Sequence, residues 1–150
     1  MRDYEADQRQ FRELIEDVVS GHGIKFVGEE AKQGKRSIAE DIAAFSGIRY
    51  ANIDIPLDVQ EKIQKQPADV FNDEKLEWES LLKSDKYAKA WNLVREFHMY
   101  RSFLQTLHTG EQALLICGRL HVQGLTELLS QHMETIPICF GPKFDDCCTA

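Results

Sequence analysis

The apolar positions of this chain change period several times, and each change outlines an element. Phe11, Leu14, Ile15, Val18 and Val19 recur at three- and four-residue spacing, which predicts a helix over 6–20. Gly21 and Gly23 end it. A short apolar run predicts a first strand at about 24–29. Ser37, with Glu40 three residues on, is a capping-box pattern that opens a helix to about Phe45. Gly47 suits its C-terminal stop. A second strand covers about 48–54 and closes at Pro56. A short helix is expected at about 57–65, then a loop at Pro67. Two helical stretches follow at about 73–83 and 85–108, with Asp73 and Ser84 as caps. In the longer one Trp91, Val94, Phe97, Leu104 and Leu107 form the stripe expected to face the core. A third strand at 112–117 feeds a helix at about 121–132, and a fourth strand at 136–140 ends at Gly141-Pro142.

Strands separated by helices imply βαβ units. The expected fold is a single-domain α/β three-layer sandwich over residues 1–150, with about four mainly parallel strands and helices on both faces. Leu114-Leu115-Ile116-Cys117 is a continuous apolar run, as befits a strand covered on both sides. The helical insertion at about 57–110 is too long for a simple crossover. It is either a packing helix pair or a cover over the C-terminal edge of the sheet.

Composition narrows the partners. The chain is 43% hydrophobic and 29% charged, as in ordinary soluble domains. Its net charge of −7 argues against a nucleic-acid backbone or an anionic membrane surface as the partner. No run approaches the ~18 apolar residues of a membrane span. The charged start, Met1 to Glu5, lacks the apolar core of a signal peptide, so a cytoplasmic protein is expected. Cys117 and Cys139 sit in apolar runs and read as small buried hydrophobes. Cys147 and Cys148 read as a loose, reducible tail. No zinc spacing, GxGxxG, Walker motif, GxSxG or HExxH occurs. His22, His98, His108 and His132 lack partners at metal-ligand spacing and are expected to be structural or exposed.

The candidate chemistry lies at strand ends. The first strand runs into Gly28-Glu29-Glu30, the second into Asp54, and the third into Cys117-Gly118-Arg119-Leu120-His121. Open α/β sheets bind ligands outside the C-terminal edge of their strands. Adjacent residues at a strand end point to opposite sides, so only one of Glu29 and Glu30 should face that crevice. Paired carboxylates there suit a cation or acid–base work, or are plain loop charges. Asp54 either meets a ligand or accepts backbone bonds in an Asx turn. His121 is a ligand or proton carrier, or a surface cap. Gly124 costs its helix roughly 1 kcal/mol relative to Ala, which points to a packing reason. Arg95 and Glu96 lie mid-helix, as charged shoulders or as an oxyanion clamp and a carboxylate brought over the strand ends.

The ordered set Glu29-Glu30, Asp54, Arg95-Glu96 and Cys117-Gly118-x-x-His121 spans nearly the whole chain. It resembles small bacterial proteins of unassigned function that share these motifs. The last motif also resembles the C-terminal GxxH of the TIKI–TraB–erythromycin-esterase-like superfamily. That resemblance implies an α/β sandwich with glutamates and histidines at strand ends, and metal-dependent or acid–base hydrolysis in some members. This chain is much shorter, and its first strand ends in Gly28-Glu29-Glu30 where the larger proteins carry another GxxH. In the enzyme reading, Glu29 or Glu30, Asp54, Arg95, Glu96 and His121 form a hydrolytic site for an ester, amide or phosphate. His121 is then general base or metal ligand, and Arg95 steadies developing negative charge. The side chains should converge on one crevice, with Glu30 and His121 at least partly exposed. The other reading is a non-catalytic small-molecule-binding or protein-interaction domain. Neither reading identifies a cofactor or a metal, and both are compatible with a homo-oligomer.

Overall fold

Among the described residues, Phe26–Glu29 is the one strand buried at every position, and it forms the centre of the sheet. The computed structural model describes residues 4–31, 34–62 and 85–141. In chain order the elements are α1 (Tyr4–Gly21), β1 (Phe26–Glu29), α2 (Ile38–Ser46), β2 (Arg49–Asn52), α3 (Asp85–Thr106), β3 (Ala113–Ile116), a 3-10 turn (Arg119–His121) and α4 (Val122–Ser130). Residues 57–62 are also helical. The expected helix at 73–83, its cap Asp73, the cap Ser84, the loop at Pro67 and the Cys147-Cys148 tail lie outside the described residues.

The three strands are parallel, in the order β2-β1-β3. Val27 stands opposite Tyr50 and Leu114, and Phe26 opposite Arg49 and Ala113. Strand alternation then sorts side chains onto two faces. On one face α1 and α2 bring Ile15, Val19, Ala39, Ile42 and Ala43 around Val27, with Tyr50 and Leu114 beside it. On the other α3 and α4 bring Met99, Phe103, Leu125 and Leu129 around Phe26 and Ile53. The result is an α/β sandwich with helices on both faces of a parallel sheet.

Local chemistry sets the element ends. Ser37 is the N-cap of α2, its Oγ accepting from the Glu40 N–H at 3.0 Å. Gly47 closes α2 in the left-handed region, at φ 68°. At the N-terminal edge of the sheet Arg49 donates to both carboxylate oxygens of Glu111, each at 2.7 Å, and to the Thr106 carbonyl at 3.0 Å. This fork ties β2 to the segment that leads into β3.

Two expectations change. Residues 136–140 form no strand, and among the described residues the sheet has three. Pro137 has no N–H to give a ladder, and Phe140 packs on Phe11 of α1, ring centroids 5.3 Å apart. The buried stripe of α3 is also different. Met99 and Phe103 are its core residues, whereas Val94 and Phe97 are about half exposed. Leu104 and Leu107 pack against the core as expected, but the buried face also includes Glu96, which hydrophobic spacing alone does not select. Within the long insertion, α3 is thus a packing layer of the sandwich.

The strand order positions the site. α2 leaves β1 over one face, and α4 leaves β3 over the other. The C-terminal ends of β1 and β3 therefore flank a topological switch point, where an open α/β sheet leaves a crevice.

Candidate functional site

Strand parity separates the two glutamates. Glu29 follows Val27 onto the α1/α2 face, where its Oε1 accepts from the Tyr50 hydroxyl at 2.7 Å and from the Ser37 hydroxyl. Burial, then the bond to Glu29, raises the Tyr50 pKa well above its ordinary value. Glu29 therefore braces the start of α2 and stands apart from the other candidates. Glu30 has the opposite parity and meets Arg95 and His121 beyond the strand ends.

Five of the six candidate side chains converge there. Arg95 Nη2 donates to Glu30 Oε1 and to Asp54 Oδ2, each at 2.6 Å, and Arg95 Nε donates to Asp54 Oδ1 at 3.2 Å. Glu30 Oε2 accepts the Gly118 N–H at 2.8 Å, which pins the end of β3 to the end of β1. His121 Nδ1 is 3.1 Å from Glu96 Oε1, and its Nε2 is 3.7 Å from Glu30 Oε1. Glu30 is thus shared between an Arg95–Asp54 pair and a His121–Glu96 pair. Asp54 also accepts the Ile55 N–H at 2.8 Å, so it meets the cluster and shapes its own turn.

Two glycines build this arrangement. A Cβ on Gly28 would come 2.8 Å from Phe103 Cδ2, so the bare backbone lets α3 lie close over β1. That approach brings Arg95 and Glu96 to the strand ends. A Cβ on Gly124 would come 2.7 Å from Glu96 Cδ, so the carboxylate occupies the place of a side chain on α4. The cost of Gly124 in a helix was the sequence signal for it. Gly28 gave none, because its partner lies 75 residues away.

Burial differs across the cluster. His121 and Glu96 are 3% and 6% exposed, which corrects the expectation of a partly exposed imidazole. The Glu30 and Arg95 side chains keep 18% and 20%. The bond to Asp54 raises the Arg95 pKa; desolvation opposes this, and the charges of Asp54 and Glu30 add to it. Nearby, burial pushes the Cys117 thiol up to about 12, with the charges of Glu30 and Glu96 adding. Cys117 is then protonated at neutral pH and is a poor nucleophile. Three carboxylates face one guanidinium and one imidazole. Among the described residues no group of three or more His, Cys, Asp or Glu side chains is arranged to hold a metal ion, and no helix is long and apolar enough to cross a membrane.

No family model, no curated protein and no solved structure matches the chain.

Proposed function

We propose that the crevice is a general acid–base site of a hydrolase acting on a neutral ester or amide. The observation that carries this reading is the placement of the two ring nitrogens of His121. Its Nδ1 is held by buried Glu96, while its Nε2 lies 3.7 Å from Glu30, beyond hydrogen-bond range. A carboxylate at Nδ1 accepts from it, and in that tautomer Nε2 is the acceptor that faces Glu30. Glu30 faces the gap that Nε2 faces. A water there gives one proton to Nε2, and Glu30 holds its other O–H. The water oxygen adds to the carbonyl carbon. The carbonyl then re-forms as the C–O or C–N bond breaks, and the imidazolium returns its proton to the leaving alkoxide or amine.

Arg95 takes a different role from the oxyanion clamp suggested by sequence. Its Nε and Nη2 are spent on Asp54 and Glu30, so it holds the carboxylates together. The excess of carboxylates disfavours a phosphoryl group, which narrows the substrate to uncharged acyl compounds. The resemblance to the GxxH-bearing superfamily supports the same reading through His121 at a strand end, with acid–base chemistry rather than a metal as the version favoured here.

A panel of neutral aryl esters and anilides tests the reading, with His121→Gln and Glu30→Gln as controls. Turnover should follow a pH profile and fall by about 10²–10⁴-fold in His121→Gln, the usual contribution of a positioned acid–base group. Equal turnover in that variant, or none in the parent, would sink the hydrolase. A second reading, binding without turnover, draws on the near closure of His121 and Glu96 to solvent. It predicts ligand-induced stabilisation, roughly 2.7 kcal/mol at a hundredfold excess over Kd, with no product. The same melting assay with zinc, manganese or magnesium tests the metal version.

A further inference from the structure

A second feature lies beside the site. β3 is an edge strand of the sheet, and all four of its apolar residues are only half-buried. Along it runs a cavity of about 640 Å³. Phe11, Leu14 and Val18 of α1 line it, as do Leu125 and Leu129 of α4 and the segment at 135–140. The charged or titratable lining groups other than the cysteines are His22 and Glu111 at the start of β3, Arg119 beyond its end, and Glu134 where the 135–140 segment begins.

We propose that this slot binds the unbranched apolar chain of an acyl substrate whose carbonyl is placed at Glu30 and His121. The proposal rests on the hydrolase reading and adds the substrate class to it. The volume falls in the range of small-molecule sites, about 300–1,000 Å³, and the mainly apolar lining is what such sites use. β3 runs for about 13 Å at about 3.3 Å per residue, the length of a medium hydrocarbon chain. The slot and the site meet at one point of the chain. Cys117 and Arg119 line the slot. Between them Gly118 gives its N–H to Glu30, and the same turn ends in His121. Burial raises the Cys117 pKa and the charges of Glu30 and Glu96 add to this, so the thiol that lines the slot beside Gly118 is protonated and uncharged. An uncharged chain suits both halves: the slot offers it apolar walls, and the carboxylates beyond repel an anionic head.

The test uses 1-decanol, an alcohol that cannot be hydrolysed, with the full chain. Calorimetry and methyl NMR should show saturable binding, with shifts confined to slot methyls such as Leu114, Ile116 and Ile138. Affinity should rise about fourfold per methylene from hexanol to decanol. His121→Gln should bind decanol as the parent does. Ile138→Asp should lose at least tenfold, and because Ile138 is 45% exposed the variant should fold. Leu14→Trp, which fills the slot, should do the same by occlusion. In the ester panel both slot variants should lose the preference for decanoyl over acetyl esters and keep acetyl turnover. Absence of decanol binding, equal binding by both slot variants, or shifts centred elsewhere would overturn the slot. A failed hydrolase reads out separately, as no ester turnover while decanol still binds.

Discussion

The carboxylate of Glu96 occupies the space that a side chain at position 124 would need, its Cδ 2.7 Å from where a Cβ would stand. Gly124 on α4 and Glu96 on α3 are therefore one unit, and its product is the orientation of His121. Gly124→Ala should gain helix propensity, up to about 1 kcal/mol, yet destabilise overall. Forcing extra volume into a packed site costs typically ~1–3 kcal/mol. Urea denaturation and the His121 imidazole NMR signals check this. A more stable variant with unchanged imidazole signals would refute it.

His121 and Glu96 should be energetically coupled. Removing one leaves the other buried without its partner, at a cost of roughly 1–3 kcal/mol. His121→Ala should thus lower stability as well as activity, contrary to what an exposed histidine would do. A double-mutant cycle with Glu96→Ala should return a coupling of about 0.5–3 kcal/mol. Additive single effects would mean the contact contributes nothing.

Arg95 should be replaceable for charge but not for shape. Arg95→Met leaves Glu30 and Asp54 facing each other and should cost about 2 kcal/mol, less than for a sealed pair because 20% of the side chain meets solvent. Arg95→Lys should recover only part of this, since an ammonium cannot span both Asp54 oxygens and reach Glu30. Melting temperatures of the two variants decide the point. Full recovery by lysine would reduce Arg95 to a point charge.

The Arg49–Glu111 fork should show in acid. The hydrogen bond from Arg49 lowers the Glu111 pKa from 4.5 to about 2. A depressed folded pKa means that the ionised form favours the folded state. The contribution is complete above about 4.5 and is lost as the pH falls through about 2. Urea midpoints of the parent and Glu111→Gln should differ at pH 6 and draw together toward pH 2. A gap that is constant with pH would contradict the fork.

The elements with strong local signals were legible in the chain itself. Ser37 with Glu40 and Gly47 with its left-handed turn define α2 through bonds a few residues long, and α1 shows one clear apolar face. The alternation of strands and helices gave the α/β class. The strand ends pointed to Glu30, Asp54 and His121, and the rule of opposite sides required that Glu29 and Glu30 part. What the chain could not show was which of the two glutamates faces the crevice, because that depends on which helices cover which face.

Tertiary structure decided the rest, wherever the energy of a residue depends on a distant partner. Glu96 lies in the buried face of α3 because His121 and the gap at Gly124 receive it, and hydrophobic spacing counts a carboxylate as exposed. Gly28 matters because Phe103 packs on it across the sheet. Residues 136–140 are an apolar run of strand length, yet a strand exists only when a neighbour accepts its ladder, and Pro137 with the Phe140–Phe11 contact sends that segment elsewhere. Local pattern determined the elements; contacts between elements, paid in desolvation and packing, determined the site.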